Sequence, residues 1–377
     1  WEAVSAARDD YEKLIVAIVE TVIQRWQADP DYGWIDTKFS SITGENFEAA
    51  DDPARNIRGR DVIYGWVQGR GLETLSTVSR YLGAFATLTE ERMEELEAQI
   101  EQIVLKLVDS LRAMRSHNGG HMFFMYRPDG TPLELDDEGL VREAELLSDA
   151  ANFSDMFCAK GIYAAANLLG NDELAAEAIG YLRKVLEDVR AERFYNDQQP
   201  FDPKAPVRPV PGRHSQAPWM IALGALAMLQ WEDEEEWYET TQQFIQHIID
   251  QHINTGQYGG LEALDWIEAV DDHGNPWKED GRILSDIGHC LEFVGLASKA
   301  TETLMLAAEQ PDDRVSFVGR TDEIMLHLLP HNFQIGYNFQ AGGICKSVDL
   351  IGRRPINSDM PRWSLPEPMR AACYVRA

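Results

Sequence analysis

The run Ser285-Asp286-Ile287-Gly288-His289-Cys290-Leu291-Glu292-Phe293 holds the residues best suited to moving a proton. His289 and Glu292 are three apart, so on a helix they share a face. A carboxylate there can hold the imidazole in one tautomer and raise its basicity, which suits a general acid or base near neutral pH. The same pair also suits a purely structural helix-start histidine. Arg70, in Tyr64-Gly65-Trp66-Val67-Gln68-Gly69-Arg70, lies early in a largely apolar helical segment. A guanidinium buried there needs oxygens, from a ligand or from an internal partner such as Glu73. In Trp363-Ser364-Leu365-Pro366-Glu367 the indole can stack on a sugar face and the carboxylate can accept sugar hydroxyls. An aromatic cap on a helix would use the same indole for packing. Trp66, Tyr126 and Trp219 complete the candidate substrate-binding set. Phe123, Phe124, Trp266 and Trp277 are hairpin aromatics of the kind that pack. No metal-ligand cluster stands out, and none of this chemistry requires a metal or an organic cofactor.

These side chains need helices to hold them, and helical periodicity dominates the chain. Leu14, Ile15, Ile18, Val19, Val22, Ile23 and Trp26 make one apolar stripe, and Leu96, Ile100, Ile103, Val104, Leu107, Val108 and Leu111 another. Segments 173–193 and 234–253 carry similar stripes. Such helices have one wet face. Segments 62–85, 153–169, 217–229 and 287–300 are apolar or small on most sides and read as buried all round. The two kinds alternate. Long loops with Gly, Pro and Asp precede the buried kind, including the proline-rich 198–212. Three of these loops have strand-like flanks, Met122 to Tyr126, Leu264 to Val270 and Ile344 to Leu350, with turns at Gly130, Gly274 and Gly352. The turn glycines are 144 and 78 residues apart, a period of about 72 to 78 if the first gap holds two units. Repeats this long exceed the TPR, HEAT and ankyrin periods. They suit an all-α (α/α)6 toroid of helical hairpins, with hairpin-like loops gathered at one mouth and residues 1–377 as a single catalytic domain. Ten helices are expected: 1–27, 62–82, 90–115, 148–170, 173–193, 214–231, 234–253, 284–309, 314–329, and one starting near Trp363.

Composition narrows the function. The chain has 377 residues, 63 of them Asp or Glu against 34 Lys or Arg, for a net charge of −29. Such a surface repels phosphate backbones and anionic lipid, which argues against nucleic-acid and membrane partners. No run of 18 apolar residues exists to cross a bilayer. Cys158, Cys290, Cys345 and Cys373 form no CxxC pair, so reduced cytoplasmic thiols are expected rather than a disulfide framework.

Three stretches together resemble the N-acylglucosamine 2-epimerase superfamily, with its cellobiose 2-epimerases and mannose isomerases. Trp66-Val-Gln-Gly-Arg70 is similar to the family's W-x-Q-(A/G)-R, Gly288-His289-Cys-Leu-Glu292 to its G-H-x-x-E, and Trp363-Ser-Leu-Pro-Glu367 to its W-W-x-x-E. The likeness runs from about residue 60 to the end. It implies an (α/α)6 barrel and reversible proton transfer at C2 of an open-chain reducing sugar through an enediolate. In that reading His289 is the base, Glu292 its orienter, and Arg70 the cation for the developing oxyanion. The partner is a small sugar, and a homodimer is possible. The family's second acid/base histidine near the C-terminus has no counterpart here, and Trp219-Met220 stands where some members carry histidine. A glycoside hydrolase or polysaccharide lyase on the same toroid is the alternative, with Asp155, Glu292 and Glu367 as its carboxylates. A helical-repeat binding protein is a third reading. Ten helices are one hairpin short of six, so the sequence is expected to be part of a longer chain. The first and tenth helices should then present uncovered apolar faces.

Overall fold

The computed structural model describes residues 2–40, 42–48, 50–145, 149–199, 201, 210–232, 235–306 and 312–375. Most of the proline-rich 198–212 segment lies outside them. The chain divides into two compact units, Trp1–Arg208 and Pro209–Ala377.

The first unit holds α1 (Glu2–Ala28), α2 (Gly65–Phe85), α3 (Glu90–His117), α4 (Phe153–Leu169) and α5 (Asp172–Arg190). Helices α2 and α4 pack on each other, α3 covers α2, α5 covers α4, and α1 lies against α3. Strands β1 (Ile63–Tyr64), β2 (Met125–Tyr126), β3 (Pro132–Leu135) and β4 (Val141–Glu143) form an antiparallel sheet in that order. The second unit holds α6 (Ala217–Leu229), α7 (Glu235–His252), α8 (Ile287–Leu306), α9 (Asp312–Gly336) and α10 (Pro366–Tyr374). Here α8 lies between α6 and α10, while α7 covers α6 and α9 covers α8. Its strands are β5 (His214–Ser215), β6 (Ala269–Val270), β7 (Lys278–Glu279), β8 (Arg282–Ser285), β9 (Tyr337–Asn338), β10 (Gly343–Ile344), β11 (Ser347–Asp349) and β12 (Arg354–Asn357). They pair as β5-β6, β9-β10 and a four-stranded β12-β11-β8-β7 sheet.

All ten expected helices are present among the described residues, and half-wet and buried helices alternate from α3 to α9; α2, expected to be buried all round, buries one face only and leaves Arg70, Thr74, Thr77 and Arg80 exposed. The periodic stripe of α3 is fully inside, from Leu96 through Leu111. Helix α6 buries nearly its whole length. Three buried helices start about three residues later than the apolar pattern suggests. The residues just ahead of them, 63–64, 214–215 and 282–285, pair as strands with the hairpins instead. Helix α4 starts at Phe153 rather than 148, because Asn152 and Asp155 close a capping box there. Helix α9 runs through Pro330 to Gly336, past the expected stop at 329. The Asn332 side chain, buried with it, donates to the Leu328 carbonyl at 3.1 Å one turn back and to Leu264 O at 2.9 Å.

Gly130 and Gly274 take the left-handed turn conformation, with φ of 93° and 76°. In the third hairpin that conformation falls on Arg353 (φ 49°), not on Gly352. Apolar side chains on the outward face of α1, Tyr11, Leu14 and Ile18, are exposed, as is Met369 of α10. No helix among the described residues is long and apolar enough to cross a membrane.

Candidate active site

In the second unit the sheets and helix starts converge on His289. Pairing of β5 with β6 sets Ser215 opposite Ala269, which brings Gln216 beside Glu268. The Glu268 backbone N–H donates to Leu284 O at 3.1 Å, tying it to β8, whose last residue, Ser285, leads into Asp286 and α8. His289 stands in the first turn of α8. Its Nδ1 lies 2.9 Å from Glu268 Oε1, 3.4 Å from Gln216 Nε2 and 3.6 Å from Asp286 Oδ2. Asp286 Oδ1 accepts the His289 backbone N–H at 3.4 Å. Its Oδ2 is ion-paired with Lys346 Nζ. The Trp363 ring stacks on the imidazole at 5.4 Å, 27° from parallel, and Lys346 Nζ lies 5.0 Å from the centre of the same indole.

Burial works against charging His289. The Glu268 and Asp286 carboxylates overcome it and raise its pKa well above the ordinary 6.5. Burial likewise opposes the Glu268 carboxylate, but the imidazole's charge and hydrogen bond, with Gln216, hold its pKa well below 4.5. With Nδ1–H given to Glu268, the neutral imidazole carries its lone pair on Nε2. The side chain is 25% exposed, and among the described residues no hydrogen bond engages that nitrogen. The arrangement can take a proton as imidazole and return it as imidazolium.

The orienting carboxylate is therefore Glu268, not Glu292. Glu292 is half-buried one turn along α8 and makes no hydrogen bond to the ring. Sequence reasoning missed Glu268, although a lone charge in the apolar run Trp266-Ile267-Glu268-Ala269-Val270 was a signal. It also missed Asp286, whose place one residue before a helix marks a cap, and Lys346, which carried no signal. Trp363 is where its motif suggests. Glu367 forms an ion pair with Arg370. Trp219 turns away, buried in its own helical hairpin, stacked on His247 at 3.7 Å and packed on Phe244. It serves packing, because α6 directs it at α7.

In the first unit the Trp66-Val-Gln-Gly-Arg70 motif divides its work. Gln68 exchanges two 2.9 Å hydrogen bonds with the Ile35 backbone. Gly69 lets α4 approach, since a Cβ there would meet the Phe157 carbonyl carbon at 2.6 Å. Trp66 packs edge-on against Phe124 and Phe153, and its Nε1 donates to Asp197 Oδ1 at 3.1 Å. Asp197 also takes the Ser154 hydroxyl, and burial pushes its carboxyl up to about 7. Arg70 is exposed rather than buried, and stacks over the Phe157 ring at 4.3 Å. Its expected internal partner, Glu73, pairs instead with Lys160 at 2.8 Å. Among the described residues Arg70 makes no ion pair, which leaves its donors open to a ligand. Tyr126 is wholly buried, and its hydroxyl accepts the Phe123 N–H; it is a packing residue rather than a ligand contact. Asp155 is equally enclosed, fixed by His121, the Met122 amide and Tyr181.

Glu262, Asp265 and His331 place ligand atoms within 4.8 Å of one another, the one such metal-like group among the described residues. Arg353 already grips Asp265 with two hydrogen bonds, 2.8 and 2.6 Å long, so that cluster has its cation.

No family model matches the chain, and no curated protein matches it. Solved structures do. A sugar epimerase from a ruminal bacterium aligns at 12% identity over 94% of this chain and 79% of that one, with a TM-score of 0.55. A D-mannose isomerase aligns at 13% over 95% and 81%, TM-score 0.58. The cellobiose 2-epimerase of Bacillus thermoamylovorans B4167 aligns at 12% over 94% and 87%, TM-score 0.54. At such identities the likeness is one of fold. The chain has the all-α helical-hairpin fold of these proteins, the (α/α)6 class expected from its sequence.

Proposed function

We propose that this chain is a carbohydrate isomerase or epimerase of the N-acylglucosamine 2-epimerase type, moving a proton at C2 of an open-chain reducing sugar. The observation that carries this reading is His289. Its Nδ1 is held by Glu268, its Nε2 has no hydrogen-bond partner among the described residues, and an indole lies beside it on which a sugar ring can stack. A C–H beside a carbonyl is a poor acid, so the reaction needs a placed base and a cation for the enediolate oxygens. His289 supplies the base. Arg70, which makes no ion pair among the described residues, is offered for the oxygens by the resemblance of its motif. Likeness of fold to a sugar epimerase, a D-mannose isomerase and a cellobiose 2-epimerase supports the same class. The hydrolase alternative loses support, since Asp155 is sealed inside the first unit and Glu367 is bound to Arg370.

The test is NMR in heavy water with mannose, glucose, N-acetylmannosamine and cellobiose. Deuterium entering at C2 of one of them is expected, and the product separates isomerisation from epimerisation. Glycosidic cleavage of cellobiose without C2 exchange would favour the hydrolase, and no reaction with any of the four would count against the proposal.

A further inference from the structure

A base must be neutral to take a proton, yet two carboxylates face His289. Glu268 reaches Nδ1 at 2.9 Å, and Asp286 lies 3.6 Å from the same nitrogen. Both favour the imidazolium. The other groups at the ring are Gln216 ahead of α6, Trp363 from the turn at 362–364, and Lys346 from the loop between β10 and β11, while the Arg213 charge just ahead of β5 acts on Glu268. Lys346 bonds to the Asp286 oxygen that faces the imidazole, and its ammonium also sits over the indole that covers the ring. A single cation thus touches both neighbours of His289 that Glu268 does not. Its backbone is fixed as well, with the Lys346 N–H donating to Asp359 O at 2.7 Å.

Resting on the proton-transfer reading above, we propose that Lys346 is a positioning residue for that reaction: it occupies Asp286, which leaves Glu268 as the carboxylate that holds His289, and it steadies Trp363 over the ring. Besides the desolvation of the ring, the Lys346 charge pulls the proton affinity of His289 down while the two carboxylates push it up. Without Lys346 the imidazole would stay protonated further into the alkaline range and would be slower to act as a base.

The experiment is an NMR titration of the imidazoles in the full chain, with the His289 signal assigned by its loss in His289→Gln. This readout needs no substrate. In Lys346→Met the His289 midpoint should rise by about one pH unit, the size expected of a charge at this range. Lys346→Arg should stay near wild type. Asp286→Asn should lower the midpoint, because Lys346 then faces the ring unopposed, and the double variant D286N/K346M should return close to wild type. An unmoved or lowered midpoint in K346M would overturn the assignment. So would a double variant that stays where D286N put it, a comparison that serves even if K346M alone fails to fold. C2 exchange is followed in parallel. Wild-type protein that titrates as described but exchanges no sugar would remove the isomerase reading and leave the electrostatic role standing. Exchange whose pH dependence does not move in K346M would sever Lys346 from the reaction.

Discussion

A histidine acts as a base only while its lone pair faces the substrate, and at His289 the neighbours decide which nitrogen that is. Glu268 takes Nδ1 and leaves Nε2. Glu268→Gln should therefore cost more C2 exchange than Glu292→Gln, on the order of 10²-fold for the former. The pH sign follows from the shifted pKa values. Exchange needs neutral His289 and should rise as pH passes the raised imidazole value. Stability runs the other way. Imidazolium contributes in full below its ordinary value of 6.5 and is lost as pH climbs through the raised one. The Glu268 carboxylate contributes in full above 4.5 and is lost as pH falls through its lowered value. The pair's contribution is thus complete between those two ordinary values, and comparing melting temperatures of wild type and E268Q across pH checks it. Arg70→Lys keeps the charge but not the flat fork over Phe157. It should lower turnover by about 10²-fold with little change in melting temperature, because Arg70 holds no ion pair among the described residues. A large melting shift with normal turnover would contradict that role. At this scale the sequence marked His289 and Trp363, which the structure brings into contact, and Arg70, which it leaves exposed rather than buried. It could not reveal Glu268 as the orienter, because a hairpin 21 residues upstream delivers that carboxylate, and an i, i+3 partner on the same helix looked sufficient.

Elements were more legible than contacts. Apolar periodicity marks each helix because burial must recur every three or four residues whatever the neighbours are. The starts of the buried helices were misplaced because short strand pairing with the hairpins competes with helix formation there. Trp219 misled for a related reason: periodicity says that a residue is buried, not which helix it faces. The helix start at α8 also carries a steric condition. A Cβ on Gly288 would come within 2.7 Å of the Trp363 ring. Gly288→Ala should push the indole off His289 and lower turnover about tenfold, for a stability loss of about 1–3 kcal/mol from overpacking. Turnover equal to wild type would mean that the stacking does not matter to the reaction.

For the whole molecule, charge is the dominant property. A net charge of −29 makes the folded chain repel itself, and salt screens that repulsion. The melting temperature should rise by several degrees as sodium chloride goes from about 0.02 to about 0.5 M. A flat or falling response would mean that screened attractive pairs, such as Arg353 with Asp265, outweigh the repulsion. The division into two units was not legible in the sequence, since the same buried and half-wet helices recur in both.

Trp363 lying against His289 has one more consequence. An imidazolium in contact with an excited indole quenches its emission by accepting an electron, which a neutral imidazole does far less readily. The emission of this one tryptophan, taken as the difference between wild type and Trp363→Phe, should therefore brighten as His289 loses its proton. The site carries its own optical pH electrode, and a sugar that slides between the two rings would break the contact and light the indole at any pH.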